Sequence, residues 1–430
     1  MRICIYSHAF PPSVGGVQAH SARLAASLSA HGHDVVVITR TPEGNAQDES
    51  LPYRLRRQPT TATLIRQVVA SDVVQLNTWS IPLALVARAL GKPTVWFHHD
   101  YDTVCPKSIA WNGYRCHYQP LGCTRCLARD HSWTAVTRRH AAFALRRSLR
   151  GLVSAHAVHT PFVARRLGLQ NAMLLGTGTS LGPHLPAPSS PAERRHAVPA
   201  REELVRSMAQ PTGTPLSIAD GEGPGVRHAA GAAGSGDAPA APAAGPVVLF
   251  LGRLIAEKGA DVLLRALRHC RDSGVALQVT IAGDGPERVG LTRLAGALGI
   301  EKSVHFRGMV SAHGVAELIR QADCVVIPSL WDEPTGLGAL EAMALGVPVV
   351  AARVGGLAGL VDGNGLLFER GDARDLARQL LRLVADRPLQ QRLAGAGQRQ
   401  VQASHDWYKV ARDYIAAYRS LITGVEPAQP

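Results

Sequence analysis

Glu333 and Glu341 stand eight residues apart in the stretch PSLWDEPTGLGALEAMALGVPVVA, residues 328–351. The first hangs in a polar loop, and the second projects from the helix that follows, about one turn in. Between them Gly336, Leu337 and Gly338 offer unpaired amide N–H groups at a helix N-terminus, a seat suited to phosphate. A second set of groups suited to anions lies upstream, in GRLIAEKG, where Arg253 and Lys258 follow an apolar run. Two fixed cations there can neutralise charge that grows on a leaving phosphate. The first half of the chain adds the glycine pair Gly15 and Gly16 in PPSVGGVQAH, and His99 and Asp100 in WFHHDYDTVCP. The glycines let backbone approach a ligand closely. The imidazole can hydrogen-bond a ligand or receive a proton.

These residues fall at the ends of elements that a parallel sheet would hold. Residues 324–328 read as the end of a buried strand, 337–344 as a short helix stopped by Gly346, and 347–351 as the next strand. Earlier, 2–7 reads as a strand, 8–17 as a loop, 18–31 as a helix and 34–39 as a strand. Further units follow at 72–76, 81–90 and 93–97, and a strand–helix–strand unit at 157–175. Ligands of doubly wound sheets sit outside the carboxyl ends of the strands, where each candidate group stands.

The composition bounds the classes available. A chain of 430 residues, 46% hydrophobic and 5% aromatic, can bury two cores. No apolar run is long enough to span a bilayer. The opening residues form a strand and lack the apolar core of a signal peptide, which makes a cytoplasmic protein the expectation. With 46 Lys+Arg against 33 Asp+Glu the formal charge is +13, a balance that favours acidic partners such as nucleotides, anionic lipid or nucleic acid. The stretch SWTAVTRRHAAFALRRSLRGLV carries Arg138, Arg139, Arg146, Arg147 and Arg150 and no acid. As a helix it can bring Trp133, Val136, Ala142, Phe143 and Leu149 to one side, flanked by arginines, in the manner of a helix lying on anionic lipid. A solvated or domain-packing helix fits the same residues.

Four of the seven cysteines cluster as Cys105, Cys116, Cys123 and Cys126. A zinc clip folding a short insertion, reduced buried thiols and disulfides are all compatible with that spacing. Cys4, Cys270 and Cys324 sit in apolar contexts and read as core. Residues 183–245 are rich in Pro, Ala, Gly and Ser, with one short helical pattern at 200–208, and read as a disordered insertion.

The frame from Glu333 to Glu341, followed by EAMALGVPVVA, resembles the E-x7-E signature of glycosyltransferase family 4. PPSVGGVQAH is similar to that family's PPxxGGxxxH, GRLIAEKG to its GRL..EKG loop, and WFHHDYDTVCP to an HDYxxxCP phrase of a subset with a cysteine-rich insertion. The resemblance covers nearly the whole chain outside the insertion and the cysteine clip. It implies a GT-B α/β fold of two doubly wound Rossmann-like domains facing across a cleft. The first spans 1–182 on the acceptor side, with the cysteine-rich insertion at 105–126. The second spans 246–400 and binds donor, and a C-terminal helix within 401–430 returns to the first.

The implied activity is retaining transfer of a hexose from a nucleoside diphosphate sugar to a glycan or lipid-linked acceptor, in cell-surface polysaccharide or glycolipid synthesis. By position, Glu341 would accept from the ribose hydroxyls and Glu333 would sit by the sugar, with His99 and Asp100 at the mouth of the cleft. Arg253 and Lys258 would hold the diphosphate, and the backbone at Gly308 and Met309 would seat the base. No nucleic acid is implied as partner, and no cofactor is required for catalysis, a structural zinc being one reading of the cysteines. The D-x-D at Asp100 and Asp102, used elsewhere to hold a metal, is unnecessary beside those cations. The chain departs from the family at Thr335, where Phe is usual, and at Gly359, where an acid is usual. An epimerase or phosphorylase on the same architecture, or a basic lipid or nucleic-acid binder without catalysis, are the other readings.

Overall fold

The computed structural model describes residues 1–13, 15–42, 48, 50–108, 120–129, 131–179 and 245–425. Cys116 and nearly all of the 183–245 segment, including the 200–208 pattern, lie outside them. The first domain holds β1 (Arg2–Ser7), α1 (Gly16–Ala30), β2 (Asp34–Thr39), β3 (Arg54–Arg57), α2 (Thr61–Ala70), β4 (Val73–Leu76), α3 (Ile81–Ala89) and β5 (Thr94–His98). It continues with α4 (Pro120–Ala128), α5 (Trp133–Ser148), β6 (Ala155–Val158), α6 (Pro161–Leu167) and β7 (Met173–Leu174). Its seven strands run in the order β3-β2-β1-β4-β5-β6-β7, and each neighbouring pair is parallel. Strands such as Val73–Leu76 are apolar at most positions because helices cover both faces, and every residue of that strand is buried.

The second domain runs through β8 (Val247–Leu251), α7 (Ala260–Asp272), β9 (Gln278–Ala282), α8 (Arg288–Ala297), β10 (Val304–Gly308), α9 (Ala312–Gln321) and β11 (Cys324–Ile327). It closes with α10 (Leu337–Ala344), β12 (Val349–Ala352), α11 (Gly355–Val361), β13 (Leu366–Phe368), α12 (Ala373–Ala385) and α13 (Arg387–Ser404). The strand order is β10-β9-β8-β11-β12-β13. Both sheets reverse direction of travel beside their first strand, which opens a crevice at the carboxyl ends there.

The last helix, α14 (Trp407–Thr423), leaves the second domain. Its Val410, Ala411, Tyr414, Ile415, Ala417 and Tyr418 share one core with Ile3, Ile5, Leu24 and Phe97 of the first. The 410/414/418 spacing aligns these residues on one helical stripe.

Helix α5 differs from the sequence expectation at Trp133, which is 68% exposed, whereas Val136 and Phe143 are buried. Val136 and Phe143 are two turns apart and define the inward line, and Trp133 lies about 60° round the helix from it. Arg146 also turns inward, its Nε 3.9 Å from Asp102 Oδ2, while Arg138, Arg139 and Arg147 are exposed. Strand β3 and helix α2 have no counterpart in the sequence reading. The β3 residues, RLRR, carry too much charge to suggest a strand, yet they form the sheet edge, where charge is tolerated.

Candidate active site between the two domains

The site is built on two loops of the second domain that pack against each other. Gly259 has φ +66°, and a Cβ there would come 2.0 Å from the Pro328 carbonyl oxygen. Only glycine lets the 253–259 loop lie on the 328–336 loop. The Leu330 N–H donates to the Glu257 carbonyl at 2.8 Å. With the loops docked, Lys258 Nζ donates to Glu333 Oε1 at 2.5 Å, and Ser329 Oγ donates to the same oxygen at 2.7 Å. The ammonium also lies over the Trp331 ring, 5.4 Å from its centroid. Burial alone would raise the Glu333 carboxyl, but the Lys258 charge and the hydrogen bonds outweigh it and hold it below the usual range. Glu333 is therefore an anion at neutral pH. Arg253 is exposed on the same loop.

Helix α10 starts at the other end of the 328–336 loop. Its cap is Gly336, at φ +94°, with no side-chain cap. Among the described residues the N–H groups of Gly336, Leu337 and Gly338 donate to no backbone carbonyl, and the first bonds run from Ala339 and Leu340 to Gly336. These three amides are available to an anion. One turn on, burial pushes the Glu341 carboxyl up to about 7, with the charge of Arg23 on α1 opposing.

The first domain forms the facing wall. A Cβ on Gly16 would sit 3.1 Å from Leu337 Cδ1, so the glycine admits the start of α10. Gly15 precedes it as the α1 cap. Thr160 Oγ1 donates to the Pro334 carbonyl at 3.3 Å, and the Tyr101 ring meets Trp331 edge-on at 6.2 Å. His99 follows β5. Its Nδ1 pairs with His159 Nε2 at 3.2 Å, and its ring packs on Phe97 at 4.6 Å and His20 at 4.8 Å. Burial, then the neighbouring histidines, hold it well below the ordinary imidazole value, so it is neutral. Asp100 Oδ1 accepts from the Asp102 N–H at 2.9 Å. Burial and the Asp102 charge push the Asp100 carboxyl up.

Gly308 and Met309 lie apart from the glutamates, at the end of β10. Gly308 has φ +66°, its carbonyl accepts from Gly283 N–H at 2.8 Å, and Met309 is 61% exposed. The GDG turn serves packing: Cβ atoms at Gly283 and Gly285 would stand 1.9 and 2.4 Å from the carbonyl oxygens of Gly252 and Leu254. Gly355 and Gly356 behave alike. The Gly356 N–H donates to the Glu333 carbonyl at 2.7 Å, and a Cβ on Gly356 would meet the Pro334 oxygen at 2.0 Å.

Cys105, Cys123 and Cys126 are buried, and among the described residues no three His, Cys, Asp or Glu side chains stand together as a metal set. The sequence reading did not single out Ser329, Trp331, His159 or the Arg370–Asp332 ion pair beside the glutamates. His159 is 60 residues from the histidine it holds, and no local pattern marks such a partner.

Residues 237–400 match the family model of glycosyl transferases group 1, and residues 14–126 that of glycosyltransferase family 4. The chain is 30% identical to the D-inositol 3-phosphate glycosyltransferase of Nocardia farcinica over 429 residues, covering 95% of this chain and 85% of that one. It is 28% identical to the glycogen synthase of Mycobacterium tuberculosis, over 100% of this chain and 97% of the other. Among solved structures, Anabaena HepE in complex with UDP and glucose aligns with a TM-score of 0.66 at 19% identity, over 98% of this chain and 100% of that one. The chain therefore belongs to the GT-B glycosyltransferases and is itself a transferase of this family.

Proposed function

We propose that the enzyme transfers a hexose from a nucleoside diphosphate sugar to a glycan or lipid-linked acceptor with retention, in the synthesis of cell-surface polysaccharide or glycolipid. The second domain would hold the donor and the first the acceptor. The observation that carries this reading is the Lys258–Glu333–Ser329 group beside the open amides of α10. Lys258, Arg253 and the α10 amides supply positive potential for a diphosphate. Glu333, kept anionic, is an acceptor for sugar hydroxyls, and Glu341 for those of ribose. Gly15 and Gly16 give a wall without side chains, and Gly308 with Met309 a backbone edge for the base. In this reading the leaving phosphate takes the acceptor's proton on the face from which it departs. No protein nucleophile is then needed, and neutral His99 with Asp100 orients hydroxyls. UDP and glucose bound to HepE favour a nucleotide-sugar donor.

The exposed arginines of α5, at 138, 139 and 147, support docking on anionic lipid at the cytoplasmic face of the membrane. No helix among the described residues is long and apolar enough to cross one. A structural zinc on Cys105, Cys116, Cys123 and Cys126 stays part of the proposal, checked by metal analysis of the full chain.

The test of the main reading is a panel of UDP-, GDP- and ADP-hexoses, scored by thermal shift and product formation. Binding of at least one donor, and its loss in Lys258→Ala, is the expected result. No binding by any member would overturn the reading. Turnover that requires inorganic phosphate, or epimerised free sugar, would favour the phosphorylase or epimerase alternative.

A further inference from the structure

Tyr101 is 0% exposed, and its hydroxyl has no hydrogen-bond partner. A buried O–H left unpaired is costly and calls for an explanation, because nearly all such groups in folded proteins are satisfied. The residue itself is firmly held. Its N–H donates to the Ser108 carbonyl at 2.9 Å, and its own carbonyl accepts from Val104 at 3.0 Å and Cys105 at 2.8 Å. Its ring packs with Val158, Val163 and Leu167. The hydroxyl therefore points where it does because the backbone and ring are fixed.

What it faces is the donor loop. Burial, then the charges of Asp332 and Glu333, push the phenol far above its ordinary range, with Arg166 and Arg370 opposing. It is accordingly a neutral donor set against the segment that carries Glu333. Thr335, two residues beyond Glu333, is 8% exposed and likewise carries a buried hydroxyl with no partner. His99 Nε2, two residues before Tyr101, is in the same condition. Two short segments that meet across the domains, 99–101 and 331–335, thus hold at least these three polar atoms lacking partners, a pattern suited to a polyol.

We propose that Tyr101 is a specificity-determining residue whose hydroxyl donates to a hydroxyl of the transferred sugar, an inference that rests on the donor-site reading above. Access depends on Lys258. The Trp331 indole meets the Tyr101 ring edge-on, and Lys258 lies over that indole while bonded to Glu333. A diphosphate competes for Lys258 and draws the ammonium from both. Glu333 Oε1 then loses one of its two donors, the indole loses its cation, and the sugar attached to that diphosphate displaces Trp331 to reach Tyr101. Phosphate binding and sugar recognition are coupled through one lysine.

The experiment uses the full chain and the nucleotide hexose that it binds best in the panel, with the free nucleoside diphosphate and the monodeoxy analogues of that sugar. Tyr101→Phe removes only the hydroxyl. Affinity for the free diphosphate should stay within about twofold, while kcat/KM for the full donor falls about 10- to 100-fold. That loss should vanish for one monodeoxy analogue, the one lacking the contacted hydroxyl. The variant should melt no lower than wild type, since it gives up no bond within the protein. No loss, an equal loss with every analogue, or a fall of several degrees in melting temperature would overturn the proposal. If Lys258→Ala loses the diphosphate while Tyr101→Phe behaves as wild type, this inference falls and the donor site stands. If no nucleotide sugar binds, the donor-site reading fails and takes this inference with it.

Discussion

Lys258 and Ser329 share one carboxylate oxygen of Glu333, and the arrangement makes different demands on each partner. Replacing Lys258 by Ala removes the cation proposed to face the leaving diphosphate and should lower turnover about 100-fold or more, measured as steady-state kcat. Arg253→Ala should act in the same direction, since it is exposed and has no packing role to lose. Near-normal kcat in either variant would remove that residue from the diphosphate site.

Glu341 makes a pH prediction. Its folded value of about 7 lies above its ordinary 4.5, so between these values the folded protein binds a proton that the unfolded chain releases. The stability this confers is complete below about 4.5 and is lost as pH rises through about 7. Glu341→Gln should therefore melt higher than wild type at pH 8, with the difference closing towards pH 4.5. Affinity of the wild type for the nucleoside diphosphate should rise through pH 7 as the carboxylate becomes a full acceptor for ribose. An affinity that is flat in pH would show that Glu341 does not touch the nucleotide. At this scale the sequence named Glu333, Glu341, Lys258 and His99 because motif spacing is local. It could not name Ser329 as the second donor to Glu333, nor Tyr101 and His159, whose contacts with Trp331 and His99 arise only where separate segments meet.

Elements hold these residues through close backbone approaches more than through side-chain contacts. Gly259 is the clearest case, with positive φ and the Pro328 carbonyl in the space of its missing Cβ. Gly259→Ala should cost roughly 1–3 kcal/mol of backbone strain, and the clash should move Lys258 away from Glu333. Expected are a lower melting temperature and a kcat reduced as far as in Lys258→Ala. A variant that melts lower yet keeps wild-type kcat would show that the two loops need not be docked for catalysis.

Most strands and helices were readable from apolar runs and stop signals, including α10 and its Gly346 terminator. The α5 face was not, because a helix of 16 residues with two buried side chains leaves its rotation to tertiary contacts. That geometry also selects the residues for a lipid test. Arg146 is engaged by Asp102, so the set to replace by Gln is Arg138, Arg139 and Arg147. Co-sedimentation with anionic vesicles should fall in this triple variant and with rising salt, and activity on a soluble acceptor should persist. Equal co-sedimentation with neutral vesicles would end the membrane proposal.

Among the described residues the two largest buried clusters are divided unevenly along the chain. The second-domain core is drawn from Val248 to Val401, whereas the first-domain core needs Val410 through Tyr418 in addition to strands and helices before residue 180. Sequence alone suggested a returning helix through its resemblance, but the burial of Tyr414 and Tyr418 at 0% gives that helix an energetic role. Each large side chain withdrawn from water contributes about 1.5–3 kcal/mol, and six core positions on α14 amount to a substantial part of a domain's net stability. His20 Nε2 pairs with the Tyr414 hydroxyl at 3.2 Å and its Nδ1 with Thr177 at 3.0 Å, so loss of α14 also strips a buried partner from the glycine-loop motif.

Cutting the chain after residue 404 should therefore have opposite effects on the two domains. A fragment of residues 246–404 keeps its entire core, and should fold cooperatively and bind the free nucleoside diphosphate through Lys258 and α10. A fragment of residues 1–179 should expose apolar surface, bind a hydrophobic dye and aggregate, and adding α14 as a separate peptide should restore part of its helical signal. A well-folded 1–179 fragment would show that α14 is an accessory brace. An unfolded 246–404 fragment would show that the second domain depends on the seam marked by Gly16, Thr160 and Tyr101.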